Sequence, residues 1–420
     1  MSPEALLALL VLVLVIDAGL GSAARWLQLR HQPPRPPPEL TDTLDAATYA
    51  RGRAYAAAKT RVGQLETLVV LAAWLALLLT GALGALHGWI ASWTGGGWWT
   101  AMVFLALVAW GFDLLGLPFA VARTFGVEAR FGFNTTSVAT FVRDRLTGYA
   151  LALVLGGGLL GLLLWSIDVW GRGFWLPYAA VAALVMVLLA TFQTSVLLPL
   201  FNKLTRLPEG ALQDAIADYV RRAGFELGAT FVMDGSKRST KANAFFSGLG
   251  RQKKVVLFDT LVERHPADEV VAVVAHEVGH ARLGHLPRLL AGNVALVTLT
   301  LFVLSRVVDS ASLSLALGAD GHAVALNLLA FGLLFTPITT ALGVVFNAIS
   351  RRFEYQADDF AARTHDPGSM IRALKRLAND ALAAPLAHPL YAWLFLTHPP
   401  PVERIRALAA SAEPHAARPD

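Results

Sequence analysis

His276-Glu277-Val278-Gly279-His280 sets two histidines four residues apart, with a glutamate beside the first. On a helix this spacing puts both imidazoles on one face, one turn apart. Both rings can then reach one zinc ion, with Glu277 beside the metal as general base. The chemistry such a set serves is attack of zinc-activated water on a carbonyl. The run before it, Val270-Val271-Ala272-Val273-Val274-Ala275, is apolar. Pro266 suits a first helical turn, and Asp268 and Glu269 suit the positive end of a helix. Polar groups on so apolar a helix need partners, which favours ligation over a solvent-facing turn.

A catalytic zinc takes a third protein ligand and leaves its fourth position to water. His285 lies nine residues after His276, and the metzincin pattern needs ten, where Leu286 stands. His285 is therefore expected to be a structural or helix-end histidine. The better candidate is Glu354 in Glu354-Tyr355-Gln356-Ala357-Asp358. Glu354 and Asp358 fall at i and i+4 on a second helix. Glu354 can bind zinc, while Asp358 can accept the far N–H of a ligand histidine and fix its tautomer. The plainer alternative for Glu354 is an exposed pair with Arg351, worth a few tenths of a kcal/mol. Cysteine is absent, so histidine and carboxylate must hold any metal.

Composition says what must position these groups. Of 420 residues, 55% are hydrophobic and 15% charged, against about 25% charged in soluble domains. Mean hydropathy is +0.53. This composition belongs to a polytopic membrane protein. Apolar runs of about 20 residues, enough to span a bilayer, fall at Ala5–Gly21, Leu65–Leu86, Thr100–Ala120, Leu151–Ile167, Ala179–Leu198, Leu289–Val308 and Ala323–Phe346. The first has no basic segment before it, so it reads as a retained helix rather than a cleaved signal.

Lys and Arg are plentiful after spans one, three, five and seven, and scarce or absent after two, four and six. That alternation predicts an outside N-terminus, with the histidine helix and the C-terminus on the cytoplasmic side. It also accounts for the net charge of +5 without nucleic acid, which is not expected as a partner. The chain then divides into a five-span region (1–200), a first catalytic segment (201–288), two further spans (289–349), a second catalytic segment (350–410) and a flexible tail (411–420). Gln32-Pro33-Pro34-Arg35-Pro36-Pro37-Pro38 is a stiff extended linker in the first cytoplasmic loop.

Beyond the zinc residues, the chain resembles the Ste24-type CAAX prenyl proteases, a branch of the M48 integral-membrane zinc metalloproteases. The resemblance rests on Glu128-Ala129-Arg130-Phe131-Gly132-Phe133-Asn134, Pro199-Leu200-Phe201-Asn202, the histidine motif with Leu283-Gly284-His285 after it, Glu354–Asp358, and His398-Pro399-Pro400 with Glu403-Arg404-Ile405. It spans nearly the whole chain in order. It implies a mainly α fold, with seven membrane helices around a chamber and a zincin-like cap bearing a small β-sheet. It implies a zinc endopeptidase acting in CAAX-type C-terminal processing or membrane-protein quality control. Its partners would be the bilayer and peptide or protein substrates, membrane-associated or prenylated.

The resemblance further implies that Asn243, Ala244 and Phe245 form a substrate-binding edge strand, that His398 steadies the oxyanion, and that Arg404 lies by the catalytic centre. Without it, Asn243 reads as a turn residue and His398 as a loop residue before Pro399. Thr240-Lys241-Ala242 stands where eukaryotic members have Ser-His-Ser, and Phe245 where Tyr is frequent. These departures bear on specificity and look prokaryotic. In a bacterium the chain would sit in the cytoplasmic membrane and cut misfolded membrane proteins or signal-like peptides. A transporter using Asp17, Glu66 and Asp113 and a non-catalytic scaffold are the alternatives. The first leaves the zinc set unexplained, and the second has no need of Glu277.

Overall fold

The computed structural model describes residues 1–248 and 253–412. The expected tail therefore lies outside the described residues from 413 onwards. Among the described residues, six helical runs are long and apolar enough to cross a bilayer: Pro3–His31, Ala46–Leu79, Gly97–Glu128, Val138–Phe201, His285–Val307 and Val324–Thr364. The fourth has 64 residues. Straight, it would measure about 96 Å, roughly three hydrocarbon cores. It is not straight. Gly171 takes φ 48°, a left-handed value open to glycine, and the chain turns through Gly171–Phe174. The Tyr178 hydroxyl then donates to the carbonyl of Leu159, on the preceding arm, at 3.0 Å. The run is a hairpin of two spans, which brings the crossings to seven.

Large apolar side chains stand outward on these helices; Leu153 and Val154 are 76% and 69% exposed. Such surface is stable against lipid and not against water. The second span is shorter than its apolar run suggests. Its helix stops at Leu79, and Ala82–Thr94 forms a separate helix after the turn at Gly81. Apolarity continues across that turn because the short helix buries Leu83 and Ile90 and turns Trp89 and Trp93 outward.

Glu66, Asp113 and Asp17, the acidic residues singled out in the spans, each have a partner. Arg123 bonds Glu66. Asp113 accepts from Arg145 at 2.8 Å and from the Tyr149 hydroxyl at 2.6 Å. Asp17 accepts from Thr340 at 3.4 Å, in the wall of a cavity of about 490 Å³ that Arg25, Thr67 and Asn347 also line.

The part of the chain outside the spans is built on a four-stranded sheet in the order β1-β2-β4-β3. The strands are β1 (Leu204–Arg206), β2 (Ala229–Met233), β3 (Ala244–Ser247) and β4 (Lys254–Phe258). β2 and β4 run parallel; β1 and β3 pair antiparallel to their neighbours. β3 is an edge strand. The core beneath joins Ile216, Tyr219, Leu257, Leu261, Val270, Val274 and Val402, none more than 1% exposed.

Two helices cross this core. The histidine helix, Ala267–Arg282, has Pro266 just before it and Asp268 and Glu269 in its first turn. The carboxylate helix, Val324–Thr364, has 41 residues and is about 60 Å long. The sequence suggests a break near Ser350, where Arg351 and Arg352 end the apolar run. The helix instead continues from the last span straight into Glu354 and Asp358.

Candidate active site

The histidine helix presents His276 and His280 side by side, with their Nε2 atoms 3.1 Å apart. Glu354 approaches from the carboxylate helix. Its Oε2 lies 3.4 Å from His276 Nε2, and its Oε1 3.3 Å from His280 Nε2. This approach depends on Gly279. A Cβ there would meet Ala357 Cα at 3.1 Å and the Ala357 carbonyl oxygen at 3.2 Å. Any larger residue would push the two helices apart and pull Glu354 away from the histidines.

The three residues present ligand atoms within 4.8 Å of one another. Among the described residues Glu354 Oε2 is buried and accepts no hydrogen bond, with Arg404 Nη1 3.4 Å away as its only arginine ion-pair partner. A buried carboxylate oxygen without a donor is costly, and a cation is the partner this donor set suits. The residues present therefore fit a metal ion.

One turn beyond Glu354, Asp358 Oδ1 lies 2.9 Å from His276 Nδ1. Arg404 grips the same carboxylate with two bonds of 2.7 and 2.6 Å. It thereby keeps a nearly fully buried aspartate ionised. Burial disfavours charge on Arg404, yet Asp358 and Glu354 outweigh it and raise its pKa. Burial likewise works against protonating His276, but Asp358 and Glu354 lift its pKa to about 9.

Glu277 is buried, which raises its pKa, and the neighbouring histidines pull it back in part. It accepts the backbone N–H of Phe246 at 3.0 Å. His398 Nε2 stands 3.2 Å from Glu354 Oε1, with the rest of its side chain 63% exposed.

β3 runs past this group. The Asn243 carbonyl accepts from Phe258 N–H at 3.0 Å, and Phe245 pairs with Val256. By the alternation of an antiparallel ladder, Asn243 and Phe245 turn their backbone groups to β4, while Ala244 and Phe246 turn theirs outward. The Asn243 side chain caps the N–H of Ala244 at 2.9 Å.

Of the three residues expected on the strand, Ala244 has its backbone on the open edge. Phe246, which the sequence did not single out, shares that edge and holds Glu277. No side-chain signal marks it, because its contribution is a main-chain N–H.

The segment leading into β3 is clasped from the membrane side. Lys241 Nζ donates to Tyr55 at 2.7 Å and to Glu128 at 2.8 Å. Thr240 bonds the carbonyls of Phe133 and Gly132, each at 3.1 Å. Arg238 bonds Asp144 through two contacts of 2.7 Å and Asn202 at 2.6 Å. The two motifs around Glu128 and Asn202 therefore serve as anchors for the strand beside the site.

Residues 26–203 match the family described as CAAX prenyl protease N-terminal, five membrane helices. Residues 206–412 match peptidase family M48. The CAAX prenyl protease 1 homolog of Arabidopsis thaliana is 33% identical over 306 residues, covering 73% of this chain and 72% of its own length. CAAX prenyl protease 1 of Saccharomyces cerevisiae is 30% identical over 402 residues, covering 89% and 88%. The crystal structure of S. mikatae Ste24p superposes with a TM-score of 0.90 at 28% identity, covering 96% of this chain and 99% of that one. Seven membrane crossings, a glutamate beside paired histidines and these likenesses together place the chain in the Ste24 branch of the M48 family, as a membrane-embedded metallopeptidase.

Proposed function

We propose that His276, His280 and Glu354 hold one zinc ion and that Glu277 is the general base of peptide hydrolysis. The observation that carries this reading is the spacing of the ligand groups. His276 Nε2 and His280 Nε2 stand 3.1 Å apart, and the two oxygens of Glu354 lie 3.4 Å from the first and 3.3 Å from the second respectively. Zinc bonds of 2.0–2.1 Å in a tetrahedron put neighbouring ligands about 3.3 Å apart. Zinc bound there supplies Lewis acidity, bringing the pKa of water to about 7 and polarising the scissile carbonyl.

The chain's own groups do the rest. Glu277 takes the proton of the attacking water and passes it to the leaving amine. Phe246 N–H orients that carboxylate. On the open edge of β3 the N–H groups of Phe246 and Ala244 are held by Glu277 and Asn243, and the carbonyls of Ala244 and Phe246 accept from an extended peptide, with Asn243 at its start. His398 is near enough to donate to the developing oxyanion. Arg404 acts through Asp358, which fixes the ring of His276.

The alternation of basic loops supports a cytoplasmic face for the catalytic part. The relatives are named CAAX prenyl proteases, and we extend to this chain a substrate class of membrane-associated polypeptides, prenylated C-termini among them. The test uses the full-length Glu277→Gln protein, purified with its bound peptides, which are then identified by mass spectrometry. The expected result is one zinc per chain and an accumulation of uncut peptides, with prenylated C-termini enriched. Full peptidase activity in that variant, or after strict metal removal, would overturn the reading.

A further inference from the structure

The two ligand histidines are backed by different chemistry. His276 turns its Nδ1 to the carboxylate of Asp358. His280 turns its Nδ1 to another imidazole: His285 Nδ1 lies 2.9 Å away. The far nitrogen of His285, Nε2, lies 3.1 Å from Gln356 Oε1. His285 is 1% exposed, and its ring stacks on Phe353 at 4.1 Å and 4°. Gly284 makes the juxtaposition possible. Its φ of 67° turns the chain back at the end of the histidine helix, so a residue five positions after His280 faces it.

We propose that Gln356 and His285 form a neutral hydrogen-bond relay that fixes the tautomer and orientation of His280 as a metal ligand. The proposal rests on the ligand assignment made above. An amide oxygen can only accept, so His285 Nε2 carries the hydrogen that Gln356 receives. A neutral imidazole then offers a lone pair at Nδ1, and His280 Nδ1–H donates into it. The remaining lone pair of His280 lies on Nε2, which faces His276 and Glu354. With His280 Nε2 kept as the ligand lone pair, the proton order Nδ1–H of His280 to His285, then Nε2–H of His285 to the Gln356 oxygen, follows along the relay.

Charge explains why this backing is neutral. Glu277, Glu354 and Asp358 already place three carboxylates in the site, and Arg404 with a divalent ion balances them. A carboxylate behind His280 as well would leave a buried negative charge without a partner. The imidazole and amide orient the ligand without adding charge. His285 is thus a positioning residue: it touches neither the metal nor the substrate.

The test measures zinc release from the full-length, zinc-loaded protein in detergent to a chromogenic chelator. In His285→Phe the ring still stacks on Phe353, but the acceptor is gone. Its zinc release is expected to be about 10- to 100-fold faster than wild type, and the visible spectrum of the cobalt-substituted protein should shift. His285→Asn places an amide oxygen where Nδ1 was and should recover most of the slow release. A wild-type release rate and an unchanged cobalt spectrum in His285→Phe would overturn the relay. If that variant does not fold, Gln356→Leu decides: faster release supports the relay, and wild-type release refutes it. Zinc content of the wild-type protein reports separately on the ligand assignment, so failure of one is distinguishable from failure of the other.

Discussion

Carboxylates meet arginines both in the membrane region and beside the paired histidines, and the two places differ in what they leave over. In the membrane region, the Glu66 and Arg123 side chains are 26% and 39% exposed, and those of Asp113 and Arg145 are 36% and 24% exposed. Their charges face one another, and a tyrosine hydroxyl takes up further capacity of Asp113. In the catalytic region, Glu354 and Asp358 are 3% and 2% exposed. There Arg404 hydrogen-bonds Asp358 twice, while Glu354 Oε2 accepts no hydrogen bond and has only the Arg404 charge 3.4 Å away. Saturated pairs hold helices together. A carboxylate oxygen without a hydrogen bond, beside two imidazole nitrogens, suits a metal ion as a partner.

Substitutions test that contrast. The largest effect is expected for Glu277→Gln, which keeps shape and ligands but removes the base. Its kcat should fall by about 10²- to 10⁴-fold, with zinc content unchanged in the same preparation. Asp358→Asn should lower zinc affinity by about 10- to 100-fold, measured by competition with a chelator, because the carboxylate behind His276 becomes a neutral amide.

The third effect is on pH. Burial raises the pKa of Glu277, and the base works only when ionised. Activity should therefore fail with acidification at a pH above the ordinary carboxylate range. A kcat/KM profile whose acid limb lies near 4.3, the unperturbed glutamate value, would contradict this. The smallest effect is expected in the membrane pair. Glu66→Gln combined with Arg123→Gln removes a partly exposed pair worth about 0.2–1 kcal/mol. It should lower the melting temperature slightly and leave kcat within about twofold. A loss of kcat comparable to that of Asp358→Asn would erase the distinction between the two regions.

The sequence made parts of this arrangement legible for identifiable reasons. His276, His280, Glu354 and Asp358 stand out because helical periodicity converts a spacing of four into a shared face. The spans stand out because lipid-facing helices have no polar stripe to interrupt them. Other features were hidden. Phe246 contributes a main-chain N–H, for which any residue type would serve. The continuity of the helix through Ser350 is masked by Arg351 and Arg352, whose charge looks like a boundary. Arg351 in fact donates to the carbonyls of Ala392 and Leu396, both at 2.7 Å. His285 was set aside because its spacing fails the test for a ligand, a test that does not ask what stands behind one.

The unbroken carboxylate helix has a mechanical consequence. Pro337 lies within its membrane half, and Glu354 follows 17 residues later, roughly 25 Å along the axis. Over such an arm, a tilt of one degree about the proline carries the carboxylate roughly 0.4 Å sideways. That is twice the tolerance of about ±0.2 Å on a metal–ligand distance. One rigid lever therefore joins the bilayer to the metal, and the helices gripping it near the site hold steady what the membrane would otherwise move.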